Sequence, residues 1–238
     1  MLSYTERYKL RQSDFDCYDN MRVSSYLDIF QTIAAIHAEQ LNMGFEQMMK
    51  KNIAWVLAKV KFDCFFPLKA GETITAETRP HTKGIVDYVR DYYIFGENGK
   101  LAAKGTSQWV LIDFTSRKIV KPVADYPGEC TTEFAYENKR IERIMPIKEE
   151  PTFSHTITRS DTDHNGHTNN IKYADMAFNA AALPSAPVKR AVINYINETK
   201  LGETVNICCK CDNGAYTFTG KSGENVCFTA LFDYGKLN

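Results

Sequence analysis

No run in this sequence reaches the roughly 18 to 20 apolar residues that a membrane-crossing helix requires. It also lacks net charge. The 29 basic residues balance 29 acidic ones, so bulk electrostatics point to neither nucleic acid nor an anionic membrane surface. Met1 to Gln12 is polar and charged with no apolar core, so no signal peptide is expected. The seven cysteines are odd in number and follow no disulfide framework, which favours reduced thiols and a cytoplasmic location. Cys208, Cys209 and Cys211 lie in a strand-like run and are read as core or surface thiols. Without a secretory route, the glycosylation sequon Asn197-Glu198-Thr199 is read as chance. There is no Gly-x-Ser-x-Gly elbow, which weighs against the usual acyl-hydrolase architecture, although triads that assemble in space stay open.

What is present suits an ordinary globular protein. The 238 residues, 44% hydrophobic and 24% charged, are enough for one large domain or two smaller ones with real cores. Tyr4 to Leu10 reads as a strand. Val23, Tyr26, Leu27, Phe30, Ile33, Ala34, His37 and Leu41 then recur at three- and four-residue spacing, giving a long helix with one apolar face. Asn42 and Gly44 supply its stop signals. Ile53–Phe66, Glu72–Arg79, Ile85–Phe95 and Leu101–Ile112 read as antiparallel strands on which that helix must bury its face.

Ser116 to Ile147 changes character. It carries Pro122, Pro127 and Gly128 and a charged run from Glu137 to Arg143, and reads as a solvated connector. Beyond it the pattern repeats: a strand at Phe153–Arg159, a helix from about Asn169 to Ala182, then strands at Ala191–Ile196, Glu203–Cys211, Ala215–Gly220 and Val226–Phe232. Ser13-Asp14-Phe15-Asp16 returns as Ser160-Asp161-Thr162-Asp163, and Tyr26-Leu27-Asp28 as Tyr173-Ala174-Asp175, at one offset of 147 positions (13 to 160). Ala70-Gly71-Glu72-Thr73 returns as Leu201-Gly202-Glu203-Thr204. This is one tandem duplication. The expected layout is a first half at 1–125, a linker at 126–150 and a second half at 151–238.

The polar stretch from Ser160 to Tyr173 holds the chemistry. Asp161 to Gly166 imitates the start of a calcium loop, but Lys172 stands where that loop needs a bidentate Glu, so calcium is rejected. His164 and His167 lack the helix spacing and third ligand of a metal site, and no metal or cofactor is expected. Asp163, Asn165 and His167 remain, at alternate positions that would share one side of an extended segment. His167 can act as base or hydrogen-bond donor, with an amide and a carboxylate to orient it. The start of the following helix offers backbone N–H groups to a carbonyl oxygen. Asp, Asn and Gly also make turns and cap helices on their own account. The first copy is an internal control: it keeps Asp16 but has Tyr18 and Asn20 in place of Asn165 and His167.

The pattern Asp161-x-Asp163-x-Asn165-x-His167-x-Asn169-Asn170 resembles the active-site signature of the acyl-ACP thioesterases of plastids and bacteria. Trp55-Val56-Leu57 leading to Phe62-Asp63 and Pro67 is similar to that family's first-half strand. Thr106 to Val110, then Thr115-Ser116-Arg117-Lys118 and Pro122, is similar to its exit into the linker. The resemblance implies an α+β fold, a tandem duplicated (double) hotdog in which each half packs a long helix on an antiparallel sheet. It implies hydrolysis of a fatty acyl thioester on acyl carrier protein, releasing free fatty acid and ending chain elongation. It also implies Glu198 as a fourth catalytic residue beside Asp163, Asn165 and His167. Plant-type members often have Cys next to that Glu; here it is Thr199, which puts a cysteine nucleophile in doubt. Pro67 stands near the Glu198 position in the first half, so that half should lack a working site. It is expected instead to hold the acyl chain, with Trp55, Leu57, Tyr26 and Phe30 as candidate lining. The expected partner is acyl carrier protein, with no nucleic acid and no membrane, and a homodimer is one admissible assembly. An acyl-CoA thioesterase on the same fold and a non-catalytic acyl-binding hotdog are the rival readings.

Overall fold

The computed structural model describes residues 2–123, 126 and 131–237. Pro127 and Gly128 of the expected connector lie outside the described residues. The elements run β1 (Tyr4–Lys9), α1 (Val23–Gln40), α2 (Phe45–Lys50), β2 (Ile53–Cys64), β3 (Thr73–Pro80), β4 (Asp87–Phe95) and β5 (Leu101–Asp113). The second series is β6 (Pro151–Thr156), α3 (Asn170–Asn179), β7 (Val188–Tyr195), β8 (Thr204–Asp212), β9 (Ala215–Ser222) and β10 (Asn225–Tyr234). The helix periodicity marks α1 to within a residue. Asn42 stops it with a positive φ of 56°, as Met43 N–H turns back onto the Ala38 carbonyl at 2.8 Å. α2, with six residues, is too short to show a helical period in the sequence. Ile85, expected to open β4, stands 91% exposed in the preceding loop instead.

Among the described residues, ten strands form one antiparallel sheet in the order β1-β3-β4-β5-β2-β7-β10-β9-β8-β6. Read outward from the centre, each side repeats the other: β2-β5-β4-β3-β1 against β7-β10-β9-β8-β6. The echoes sit at matching places. Gly71 and Gly202 have φ of 84° and 85°, and their N–H groups bond the carbonyls of Leu10 and Ile157, both at 2.9 Å. A left-handed backbone of this kind suits glycine, which explains why the Gly-Glu-Thr echo survives. α1 and α3 lie side by side on the same face, and one core cluster runs from Ile33 and Phe62 through Tyr173 to Phe218 and Phe232. A helix of 18 residues and one of 10 thus share a single apolar interior.

The two sides meet at the central strands. β2 pairs with β7 only from Lys59 to Asp63, against Asn194 to Arg190. The pairing of β2 with β5 slips between Leu57 and Lys59, a bulge that bends β2 where it leaves β7. Beyond Asn194 the chain stays with the other neighbour, as Ile196 N–H bonds the Cys227 carbonyl at 2.8 Å. The first five residues of β2 and the exit of β7 therefore diverge, and the sheet splits open between them.

The connector is a strap pinned to the sheet, although Glu137, Lys139, Arg140 and Arg143 of its charged run are exposed. His81 stacks on Phe134 at 3.8 Å and bonds the carboxylate of Asp91 at 2.8 Å, while Ala135 N–H reaches the same carboxylate at 2.6 Å. Lys61, pressed under the Tyr136 ring at 4.1 Å, is held below the usual lysine range by burial. Within the charged run Ile141 is buried and Glu142 pairs with Arg190. Asn194 ties the strap to the seam: its carboxamide accepts from Ile144 N–H at 2.8 Å and donates to the Glu142 carbonyl at 3.1 Å. Asn194→Ala strands both backbone groups in a buried place and should cost about 1–3 kcal/mol in urea unfolding. An unchanged midpoint would mean that the strap adds nothing to stability.

Candidate active site

The turn before α3 is built by Asp163. Its Oδ1 accepts from the N–H groups of Asn165 at 2.8 Å and His167 at 3.3 Å. Its own N–H bonds the His167 carbonyl at 2.9 Å, and Gly166 N–H closes onto the Asp163 carbonyl at 3.0 Å with φ of 75°. The segment is a tight reversal, not the extended stretch that the alternate spacing suggested. Asp163, Asn165 and His167 converge because the chain folds back on itself. Asp163 grips the Asn165 carboxamide at 3.4 Å but holds His167 by its backbone, so the imidazole takes its orientation from elsewhere.

The first copy folds the same way without the same residues. Asp16 accepts from the N–H groups of Tyr18 at 2.8 Å and Asn20 at 2.9 Å, and its N–H bonds the Asn20 carbonyl at 2.9 Å. Asp19 takes the Gly166 position with φ of 58°. The aspartate therefore suffices for the turn. Asn165 and His167 are not needed to make it, and their presence calls for another use. Asp161 has a separate role: Thr158 N–H, the His155 ring and the Thr158 hydroxyl bond its carboxylate at 2.7–2.9 Å. Burial pushes its pKa up, but these donors outweigh that and hold it below the usual carboxylate range.

The other wall comes from the exit of β7. Thr199 is fully buried, with its hydroxyl between those of Thr168 at 2.7 Å and Tyr173 at 2.9 Å, and its carbonyl accepts from Thr168 N–H at 2.9 Å. Thr199 is thus committed to a staple between the two loops and turned away from the cleft. The staple fixes the neighbours of its two threonines, and His167 Nε2 lies 3.4 Å from Glu198 Oε2. Arg117, carried by the turn after β5, places its guanidinium on the same Glu198 oxygen. Nothing near residue 198 announces that partner, since the two are 81 positions apart.

These groups line one cleft of about 110 Å³ in the split between β2 and β7: Asp163, Asn165, His167 and Glu198, with Ala54 to Leu57 opposite. Tyr195 closes its floor, and burial, then the Tyr173 phenol, raise its pKa so that the ring stays neutral. A second cavity of about 260 Å³ runs between the end of α1, α2 and the inner face of β2 and β4. Ala34, Ala35, Ala38, Met43, Met48 and Ile53 make its walls, and Asp163, Asn165 and Trp55 border both spaces. Trp55 is held there by its indole N–H on the Met43 carbonyl at 2.9 Å and its edge-on contact with Tyr88 at 4.7 Å.

Of the four residues expected to line an acyl pocket, Trp55 borders both spaces and Leu57 borders the cleft. Phe30 touches only a gap of about 10 Å³, stacked on Tyr92 at 4.5 Å. Tyr26 borders none of these spaces. It is 2% exposed, packs on Phe62 at 4.9 Å and bonds the Cys64 thiol, which burial pushes up to about 12. Both face the inner sheet, but the cavity opens one to three turns later along α1, where Ala34, Ala35 and Ala38 leave room. The helix start is also less open than expected: the Asn169 carboxamide takes Ile171 N–H at 3.1 Å, and its carbonyl takes Lys172 N–H at 2.9 Å. Removing one member of the staple tests its part in the site. Tyr173→Phe should lower stability by about 1 kcal/mol in denaturant unfolding, and it should broaden the His167 ring resonances in NMR spectra. Unchanged resonances would separate the staple from the cleft.

Comparison with known proteins places this geometry in context. The family model for the acyl-ACP thioesterase N-terminal domain matches residues 1–128, and that for the acyl-ACP thioesterase C-terminal domain matches residues 145–228. Oleoyl-acyl carrier protein thioesterase 1 of Arabidopsis thaliana, chloroplastic, is 25% identical over 191 residues, 72% of this chain and 53% of that one. A chloroplastic palmitoyl-acyl carrier protein thioesterase of Gossypium hirsutum is 23% identical, over 77% of this chain and 48% of its own. The chain spans about half the length of these curated relatives. Among solved structures, an acyl-ACP thioesterase from Bacteroides thetaiotaomicron superposes with a TM-score of 0.85 at 19% identity, covering 98% of each chain. The 12:0-ACP thioesterase from Umbellularia californica gives 0.88 at 16% identity, covering 99% of this chain and 98% of that one. The shared fold is the double hotdog.

Proposed function

The chain belongs to the acyl-ACP thioesterase family, and from that we propose that it hydrolyses the thioester of a fatty acyl group on acyl carrier protein, releasing free fatty acid and so ending chain elongation. The observation that carries the reading is the meeting of Asp163, Asn165, His167 and Glu198 in one cleft that borders an apolar chamber. An acyl chain in the chamber would bring its carbonyl carbon to the cleft beside Trp55. Glu198, with His167, takes a proton from water as its oxygen attacks that carbon. Asn165 directs its carboxamide at the carbonyl oxygen, steadied by Asp163, and the Asn170 N–H at the start of α3 adds a backbone donor to the oxyanion. Collapse of the tetrahedral intermediate breaks the C–S bond, and the proton passes to the departing thiolate. Water is the nucleophile in this scheme, in keeping with the buried, fully engaged Thr199 hydroxyl. The free thiols at Cys64, Cys208 and Cys227 favour a reducing compartment, and we place the protein in the cytoplasm.

Release of fatty acid from a panel of acyl-carrier-protein thioesters, with matched CoA thioesters alongside, tests the reading. His167→Ala and Glu198→Ala should each lower turnover by roughly 10²-fold or more. Full turnover in either variant would sink the mechanism, and faster turnover on CoA would overturn the carrier. Binding without hydrolysis would make the protein an acyl sensor. Ala38→Phe places a ring in the chamber and should shift the released acids to shorter chains. An unchanged product profile would remove the chamber as the acyl site.

A further inference from the structure

We infer that Arg117 is a positioning residue for the reacting pair: the first half supplies a guanidinium that anchors one oxygen of Glu198 and leaves the other for the attacking water. The inference rests on the hydrolase reading above and adds to it a group from the half that lacks a catalytic set.

The turn that carries Arg117 is built for something other than its own stability. Arg117 has φ of 57°, in the left-handed region that costs a residue with a Cβ about 1 kcal/mol. The other positive-φ residues that are not glycine are Asp19, Asn42, Asn52 and Asn213 among the described residues, the short polar types that tolerate that region. Asn or Gly would serve the backbone at 117 equally well. The strain is held in place by a dense set of bonds. Arg117 N–H donates to the Asp113 carbonyl at 2.9 Å, and Ser116 N–H to the Asp113 carboxylate at 2.7 Å. Asn52 donates to the same carboxylate at 2.9 Å, and the Thr115 hydroxyl donates to Asn52 at 3.0 Å. None of these bonds uses the guanidinium. Strain that the surroundings over-determine, at a residue whose side chain is not needed locally, points to work done at the end of that side chain.

That end lies on Glu198. Both contacts of the Glu198 carboxylate fall on Oε2, one from Arg117 Nη2 and one from His167 Nε2 at 3.4 Å. Oε1 has no partner among the described residues, and Glu198 borders the cleft. Glu198 is 40% exposed on a short loop after β7, where a single contact to His167 would leave it several rotamers. A guanidinium fixed by its own turn removes that freedom. The arrangement also explains why the cleft needs both halves: the base and the histidine come from the second, and their anchor from the end of β5 in the first.

Kinetics and NMR on the full chain test this. Arg117→Ala should lower kcat by roughly ten- to a hundredfold, the range expected when a reacting group is misplaced by about 1 Å, with KM little changed. Arg117→Lys should recover part of kcat, while Lys118→Ala, one residue on, should match the wild type. Independently of turnover, the His167 imidazole ¹⁵N resonances should move in Arg117→Ala and stay in place in Lys118→Ala. Wild-type kcat in Arg117→Ala, or a loss that lysine does not rescue and that tracks a fall in Tm, would overturn the inference. So would unmoved His167 resonances. A wild-type protein that releases no acid from any thioester would defeat the hydrolase reading instead, and the resonances would still decide whether Arg117 holds the pair.

Discussion

The seam between β2 and β7, and the place where it ends, governs the rest of this molecule. Five residues of pairing, Lys59 to Asp63 against Asn194 to Arg190, join two similar sheets into one. Had the pairing continued in register, Ala54 to Leu57 would lie against Thr199 to Ile196 with no room between them. The bulge at Leu57 and the pull of β10 on Ile196 separate them instead. The open space inherits a wall from each half. A continuous sheet and a cleft within it are alternatives at each residue, and the switch is a shift of one position in the register of β2.

Duplication let one backbone device serve two ends. The aspartate-centred turn is made with nearly the same bonds at Asp16 and Asp163, although all four residues just after the aspartate differ between the copies. The turn's stability thus rests on the aspartate and the left-handed residue, and the side chains at the second and fourth positions after the aspartate were free to vary. In the second half those positions hold an amide beside Asp163 and an imidazole 3.4 Å from Glu198; in the first, Tyr18 is exposed and the Asn20 carboxamide donates to the Ser185 carbonyl at 3.3 Å. Chemistry was added to, or lost from, a frame that did not depend on it.

Much of this could be read from the residues. The period of α1, the alternation in the strands and the echoes at Asp14/Asp161 and Gly71/Gly202 reflect local physics, and local physics leaves marks in sequence. Asp163, Asn165 and His167 were visible because they sit within five positions of one another. Their geometry was not: alternate spacing suggested an extended segment, whereas the carboxylate of Asp163 folds the chain back. Arg117 and the Thr168–Tyr173–Thr199 staple depend on segments brought together by the seam, and no local pattern encodes them. Tyr26 and Phe30 share the apolar face of α1 but border neither the cleft nor the larger cavity. An apolar helix face looks the same whether it meets a packed sheet or an open chamber, and the difference lay in the alanines one turn further on. The strap was hidden by its charged run, in which Glu142 pairs with Arg190 while Glu137, Lys139, Arg140 and Arg143 stay exposed.

The seam also has a cost during synthesis. β2 is complete long before β7 is made, so the growing chain carries a sheet whose inner strand is temporarily an edge, with unpaired N–H and C=O groups open to any other strand. The residues of β2 that later meet β7 include Lys59, Lys61 and Asp63. Charges on an edge are a common way to discourage pairing with a stranger, since a second copy would bring like charges and stranded ions into register. Here they are also compatible with the proper partner, because Arg190 of β7 lies 3.6 Å from Asp63 and Glu142 of the strap lies near Lys61. The same side chains that discourage aggregation of the half-finished protein become the contacts that admit its other half.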